Sequence, residues 1–169
     1  MIKIIVASTL ALVYLSGCAS SRASGVPYAE YKGYPLEANP TRSRLVIYRP
    51  SAGMMTAARD TRLKVNELPV GSCQPGGFIV SSHVPGTQVL AADLADSPGA
   101  CKVTLETEAG KEYFFEVRPR SEAITSGLML GVLGQALESS GKVCGGAFSI
   151  EQVDAQTAAN ALSQLRFSE

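Results

Sequence analysis

Between Arg44 and Val153 the chain is a succession of short apolar runs separated by turn chemistry, and that spacing confines it to a β-rich fold. The run CKVTLET shows the rule most clearly. Cys101, Val103 and Leu105 fall on one face and Lys102, Thr104 and Glu106 on the other, the period of two that a half-buried strand needs. RLVIYRP (44–50) is apolar on both faces and is closed by Pro50. RLKV turns Leu63 and Val65 inward, and after Asn66-Glu67 the run LPVG follows. GGFIVSS leads to Val84-Pro85-Gly86-Thr87, whose Pro-Gly pair suits a type II turn. TQVLAA, EYFFEVR (with Tyr113, Phe115 and Val117 inward) and GAFSIEQV (146–153) complete the series. About seven short strands with frequent turns imply a small antiparallel β-sandwich rather than alternating β and α units.

Two segments break the β pattern. Residues 154–166 carry Asp154 as a candidate N-cap and place Ala158, Leu162 and Leu165 on one face, which predicts a C-terminal helix. Residues 121–141 are Gly-rich and apolar nearly all round, an inserted helix-like segment. There Gly127, Gly131 and Gly134 share a helical face that lets another backbone approach, with Leu130 between them, so these four are the candidate partner contacts. The alternatives are a lid packed on the end of the sandwich and a stretch dipping into a bilayer; its apolar part is too short to span one alone.

The N-terminus fixes an address. Lys3 precedes an apolar run from Ile4 to Leu15, and Leu15-Ser16-Gly17-Cys18 stands where that run ends. This is a secretory signal, and the four residues resemble a bacterial lipoprotein processing site, which implies cleavage after residue 17 and acylation of Cys18. Ala19 in place of Asp implies the outer membrane by resemblance to Gram-negative sorting. Removing 17 of the 169 residues leaves 152, one domain's worth, with 14 basic and 15 acidic residues once Lys3 is gone. That balance gives no attraction to nucleic acid. Residues 18–43 then form the lipidated cysteine and a flexible tether, and 44–169 the domain. Tyr28, Tyr31 and Tyr34 recur every third residue within the tether, and either stack on a ligand or pack locally.

The motifs RLVIYRP, LKVNELPVG, GGFIVSSHVPG and EAGKEYFFEV, in that order behind the Leu-Ser-Gly-Cys site, resemble a family of uncharacterised bacterial lipoproteins with a β-sandwich similar to PEGA domains. The resemblance implies no catalytic residue and no cofactor. Glu67 departs from it, since the family has Gly after Asn, and the tight hairpin is expected to be disfavoured.

If successive strands alternate in direction, the loops 50–61, 73–76, 93–100 and 119–146 gather at one end and the turns 66–67, 84–87 and 108–111 at the other, with the tether. Cys73, Cys101, Cys144, Met54 and Met55 then lie together at a membrane-distal end. In an oxidising compartment three cysteines imply one disulfide, joining Cys144 to Cys73 or Cys101, and one free thiol. A redox site is the weaker reading, because no Cys-x-x-Cys is present and no basic residue adjoins Cys73. His83 is the only histidine, so no metal set is expected, and it reads as a solvated loop residue. No phosphate loop or nucleophile elbow points to an enzyme. The function expected is therefore a noncatalytic envelope lipoprotein that offers its distal loops to a protein partner or to a second copy of itself. A peptidoglycan binder using Tyr28, Tyr31, Tyr34 and outward-facing Phe114 is the alternative.

Overall fold

The computed structural model describes residues 22–51, 59–95, 97–120 and 144–169. Strands β1 (Ser43–Arg49), β2 (Thr61–Val65), β3 (Leu68–Cys73), β4 (Gly77–His83), β5 (Gly86–Asp93), β6 (Ala100–Thr107), β7 (Glu112–Pro119) and β8 (Phe148–Val153) precede helix α1 (Ala155–Leu162) and a short strand β9 (Arg166–Phe167). They form two sheets, ordered β8-β7-β1-β4-β9 and β3-β2-β5-β6. The expected small β-sandwich with a C-terminal helix is thus present. Most neighbours are antiparallel; β1 with β7 and β4 with β9 are parallel.

Between the sheets lies the first core, including Leu45, Ile47, Leu63, Leu90, Cys101, Phe115, Val117 and Phe148. The other face of the five-stranded sheet carries a second: Val46, Tyr48, Phe78, Val80 and Phe114 are covered by Ala158, Leu162 and Leu165. This explains why β1 is apolar on both sides. It also corrects the outward-facing Phe114, which is buried under α1.

The predicted helix over 154–166 is shorter than its pattern. Asp154 caps it, its carboxylate accepting from the Thr157 N–H at 2.9 Å and the Thr157 hydroxyl at 2.7 Å. After Leu162 the chain tightens, Leu165 N–H donating to Leu162 O at 3.0 Å. It then pairs with the free edge of β4, where Arg166 N–H reaches Gly76 O and Ser168 N–H reaches Phe78 O. Satisfying an open strand edge while burying Leu165 prevails over another helical turn.

The hairpin at Asn66-Glu67 also departs from expectation. Both residues have positive φ, 51° and 64°, as a two-residue type I′ turn demands. Asn66 holds it by three bonds: its N–H to Val89 O, its Nδ2 to Gln88 Oε1, and its Oδ1 from Val89 N–H. The second turn position is occupied by Glu67, whose carboxylate pairs with Lys102 at 2.8 Å.

Residues 22–42 are not a free tether. Gly25 N–H donates to Phe167 O, Phe167 N–H to Val26 O and Tyr28 N–H to Leu165 O. Tyr28 and Tyr31 set their rings edge-on to Phe78 at 5.1 and 5.4 Å, and Tyr31 stacks on Phe167 at 4.8 Å. The segment closes the outer core because Phe78 and Phe167 would otherwise stay wet.

Candidate functional site

The exits of β1, β3, β5 and β7 meet the entries of β2, β4, β6 and β8 at one end of the sandwich, and the three described cysteines lie there. Cys101 and Cys144 form a disulfide that adds an isolated bridge between β6 and the strand-like residue before β8. Arg120 brings the flanks of residues 121–143 together: its Nη1 donates to Cys144 O at 2.7 Å and Gly146 O at 3.2 Å, and its N–H to Ala147 O at 2.9 Å. The bridge, this arginine and the end of β7 pin one site of departure and return.

Cys73 remains free and fully buried. Its Sγ donates to Gly77 O at 3.3 Å. Burial pushes the thiol up to about 12, against the smaller opposing pull of the Ser168 hydrogen bond and of Arg49. A thiolate nucleophile is therefore scarce at neutral pH, and the geometry gives the redox reading no reactive sulfur here.

Arg49 is a residue that motif reading passes over. It is buried at the last position of β1, its Nη1 donating to Arg59 O at 2.5 Å and Thr61 Oγ1 at 3.3 Å, with its guanidinium 4.9 Å from the centre of the Phe148 ring. Burial lowers its pKa, yet a guanidinium keeps its charge in a protein. Its signal in the sequence was its place inside an otherwise apolar run that ends at Pro50.

A second polar group sits on the outer face of the five-stranded sheet. Arg118 grips Glu116 through two bonds of 2.6 and 2.9 Å, and Tyr48 OH donates to the same carboxylate at 3.3 Å. Desolvation, then the Glu116 charge, push the Tyr48 hydroxyl up to about 12. The phenol thus stays protonated as a donor, and the group reads as a tie across β1 and β7.

The N-terminal segment decides how this end is oriented. Ala23 N–H donates to Pro75 O at 3.3 Å, in the β3–β4 connection, and its Cβ lies against Gly77, where an added methyl would come within 2.7 Å of it. From there the chain runs the length of the sheet to Arg42, which bonds Ser82 beside the opposite turns. The alternation of loops and turns between the two ends is as expected. The tether, however, enters at the cysteine-bearing end and only its last residues lie at the turn end, which removes the ground for placing the cysteines membrane-distal.

The remaining candidates separate. Tyr28 and Tyr31 are spent on packing, and Tyr34 alone of the three stands exposed, at 54%. His83 closes β4 half-buried, its Nε2 2.9 Å from Ser81 Oγ, rather than solvated in a loop. Burial, and secondarily Arg42, lower its pKa. Among the described residues no group of His, Cys, Asp and Glu could hold a metal ion. Cys18, Met54, Met55, Gly127, Leu130, Gly131 and Gly134, and with them the segment 121–141, lie outside the described residues.

Residues 39–128, just over half of the chain, match the family model described as "Protein of unknown function (DUF2846)". No curated protein matches the sequence.

Proposed function

The chain belongs to the DUF2846 family, and on that premise we propose that it is a noncatalytic lipoprotein of the cell envelope. In this reading it is held by an acylated Cys18 and its PEGA-like sandwich works as an interaction or scaffolding module for a protein partner or a second copy. The observation that carries it is the Cys101–Cys144 bridge, which spans 43 residues of sequence and pins one end of the domain. Such a staple belongs to an oxidising compartment, where the leader ending at Leu15-Ser16-Gly17 would deliver the chain. The destination proposed is the periplasmic face of the outer membrane. Several acyl chains, at about 0.8 kcal/mol per buried methylene, hold a protein there durably.

Peptidoglycan binding is the weaker alternative, because the tyrosines and Phe114 that would stack on a glycan are occupied within the outer core, apart from Tyr34. Two measurements test the proposal. Cys18→Ser should leave an uncut precursor or release the protein from the membrane fraction, whereas unchanged retention removes the anchor. A photo-crosslinking side chain at Leu130 should yield a discrete adduct with another protein or with a second copy. Adducts confined to the same chain would remove this segment as the docking element.

A further inference from the structure

We propose that the cysteine-bearing end of the sandwich faces the membrane that holds the anchor, so that the lipid surface is its neighbour and the opposite turns point away from the bilayer. This rests on the lipidation of Cys18 proposed above, and it follows from where Ala23 is fastened to the sandwich.

Ala23 is fastened at that end by its hydrogen bond to Pro75 O and by its contact with Gly77, the first residue of β4. Ala23 is five Cα–Cα steps along the chain from Cys18. Fully extended, those five steps reach about 18 Å, at the upper limit of about 3.6 Å each. The long strands of the sandwich, such as Ala100–Thr107 and Glu112–Pro119, run about 25 Å from end to end at the usual strand rise. The link is therefore shorter than the domain is tall. An inverted domain, with its cysteine end turned away from the bilayer, would require Ala23 to stand farther from the surface than its link can reach.

The packing of residues 23–31 turns this limit on reach into a limit on orientation. A tether free as far as residue 43 would let the domain turn over. Here the hydrogen bonds of Gly25 and Tyr28 to the β9 strand region, and the rings of Tyr28 and Tyr31 on Phe78, make the first part of the tether a piece of the domain. Ser51, which approaches Gly76, and Ala95, just beyond β5, are exposed at the end that faces the lipid. Val84 and Glu108 are exposed at the turns that face away.

The experiment uses the full-length, membrane-processed protein reconstituted in vesicles of phosphatidylethanolamine and phosphatidylglycerol. A benzophenone side chain is placed in turn at Ser51, Ala95, Val84 and Glu108, and phospholipid adducts are quantified by mass spectrometry after irradiation. The N-terminal peptide of each sample is weighed in parallel to read the acylation of Cys18. Adducts at Ser51 and Ala95 should exceed those at Val84 and Glu108 several-fold. An acylated protein with equal or reversed yields would overturn the orientation and leave the anchor standing. An unacylated Cys18, with no association with vesicles, would overturn both.

Discussion

The two apolar clusters of this domain are built from different kinds of sequence. The core between the sheets draws on alternating strand residues such as Leu63, Leu90, Cys101, Leu105 and Phe115. The cluster on the outer face joins the opposite ends of the described chain: Tyr28 and Tyr31 meet Leu162, Leu165 and Phe167 over Phe78 and Phe114. The inner core defines the sandwich, while the outer cluster fastens the entering chain to it. A face read as solvent-exposed from strand alternation thus becomes a second core when terminal segments return to it.

Cutting each cluster once separates what the two contribute. Phe115→Ala, at a fully buried inner position, should cost about 3–5 kcal/mol in chemical denaturation and weaken both sheets together. A loss below about 1 kcal/mol would mean that the inner core does not dominate the stability of the sandwich. Reduction of Cys101–Cys144, or the double change to serine, should cost about 2–4 kcal/mol, since it frees a span of 43 residues in the unfolded chain. Equal denaturation midpoints with and without reductant would remove the bridge from the stability of this end.

Leu162→Ala in the outer cluster should cost about 2–3 kcal/mol. Hydrogen exchange should then quicken in Gly25, Tyr28 and Phe167 while the inner strands β2 and β5 remain protected. Uniform quickening would show that the two clusters unfold as one. A smaller effect concerns His83 at the turn end. Its lowered pKa means that the unfolded chain takes up a proton first, so stability should decline as pH falls from about the ordinary 6.5 through the folded value. His83→Gln should flatten that decline, and an unchanged profile would assign the slope elsewhere. Smallest of all, Glu67→Gly should raise the melting temperature slightly, because glycine takes the positive φ of 64° without the cost of a Cβ, although the Lys102 pair is lost. A lower melting temperature would mean that the ion pair outweighs the backbone strain.

Much of the inner architecture was legible in particular residues. The alternation of Cys101, Val103 and Leu105 placed β6 correctly, and Asp154 marked the start of α1. Leu165 and Arg166 misled, because a helical spacing extends through them while the open edge of β4 claims the backbone. Arg49 was passed over and Phe114 misjudged for a related reason: one is buried as a donor at the end of a strand, the other is covered by a helix distant in sequence. At the candidate site, spacing gathered Cys73, Cys101 and Cys144 at one end but left open which would pair. Only the position of the residue before β8 beside β6 joins Cys144 to Cys101 and leaves Cys73 sealed in the core.

From the sequence alone came the small β-sandwich, the residues that face inward on β2, β6 and β7, and the start of the terminal helix. These depend on local periodicity and turn chemistry, which act between near neighbours. Tertiary structure alone decided the disulfide pairing, the second core and the place where the N-terminal segment docks. Each of these is a meeting of segments far apart in the chain, chosen by which apolar faces and open backbone edges remain to be covered once the strands have paired.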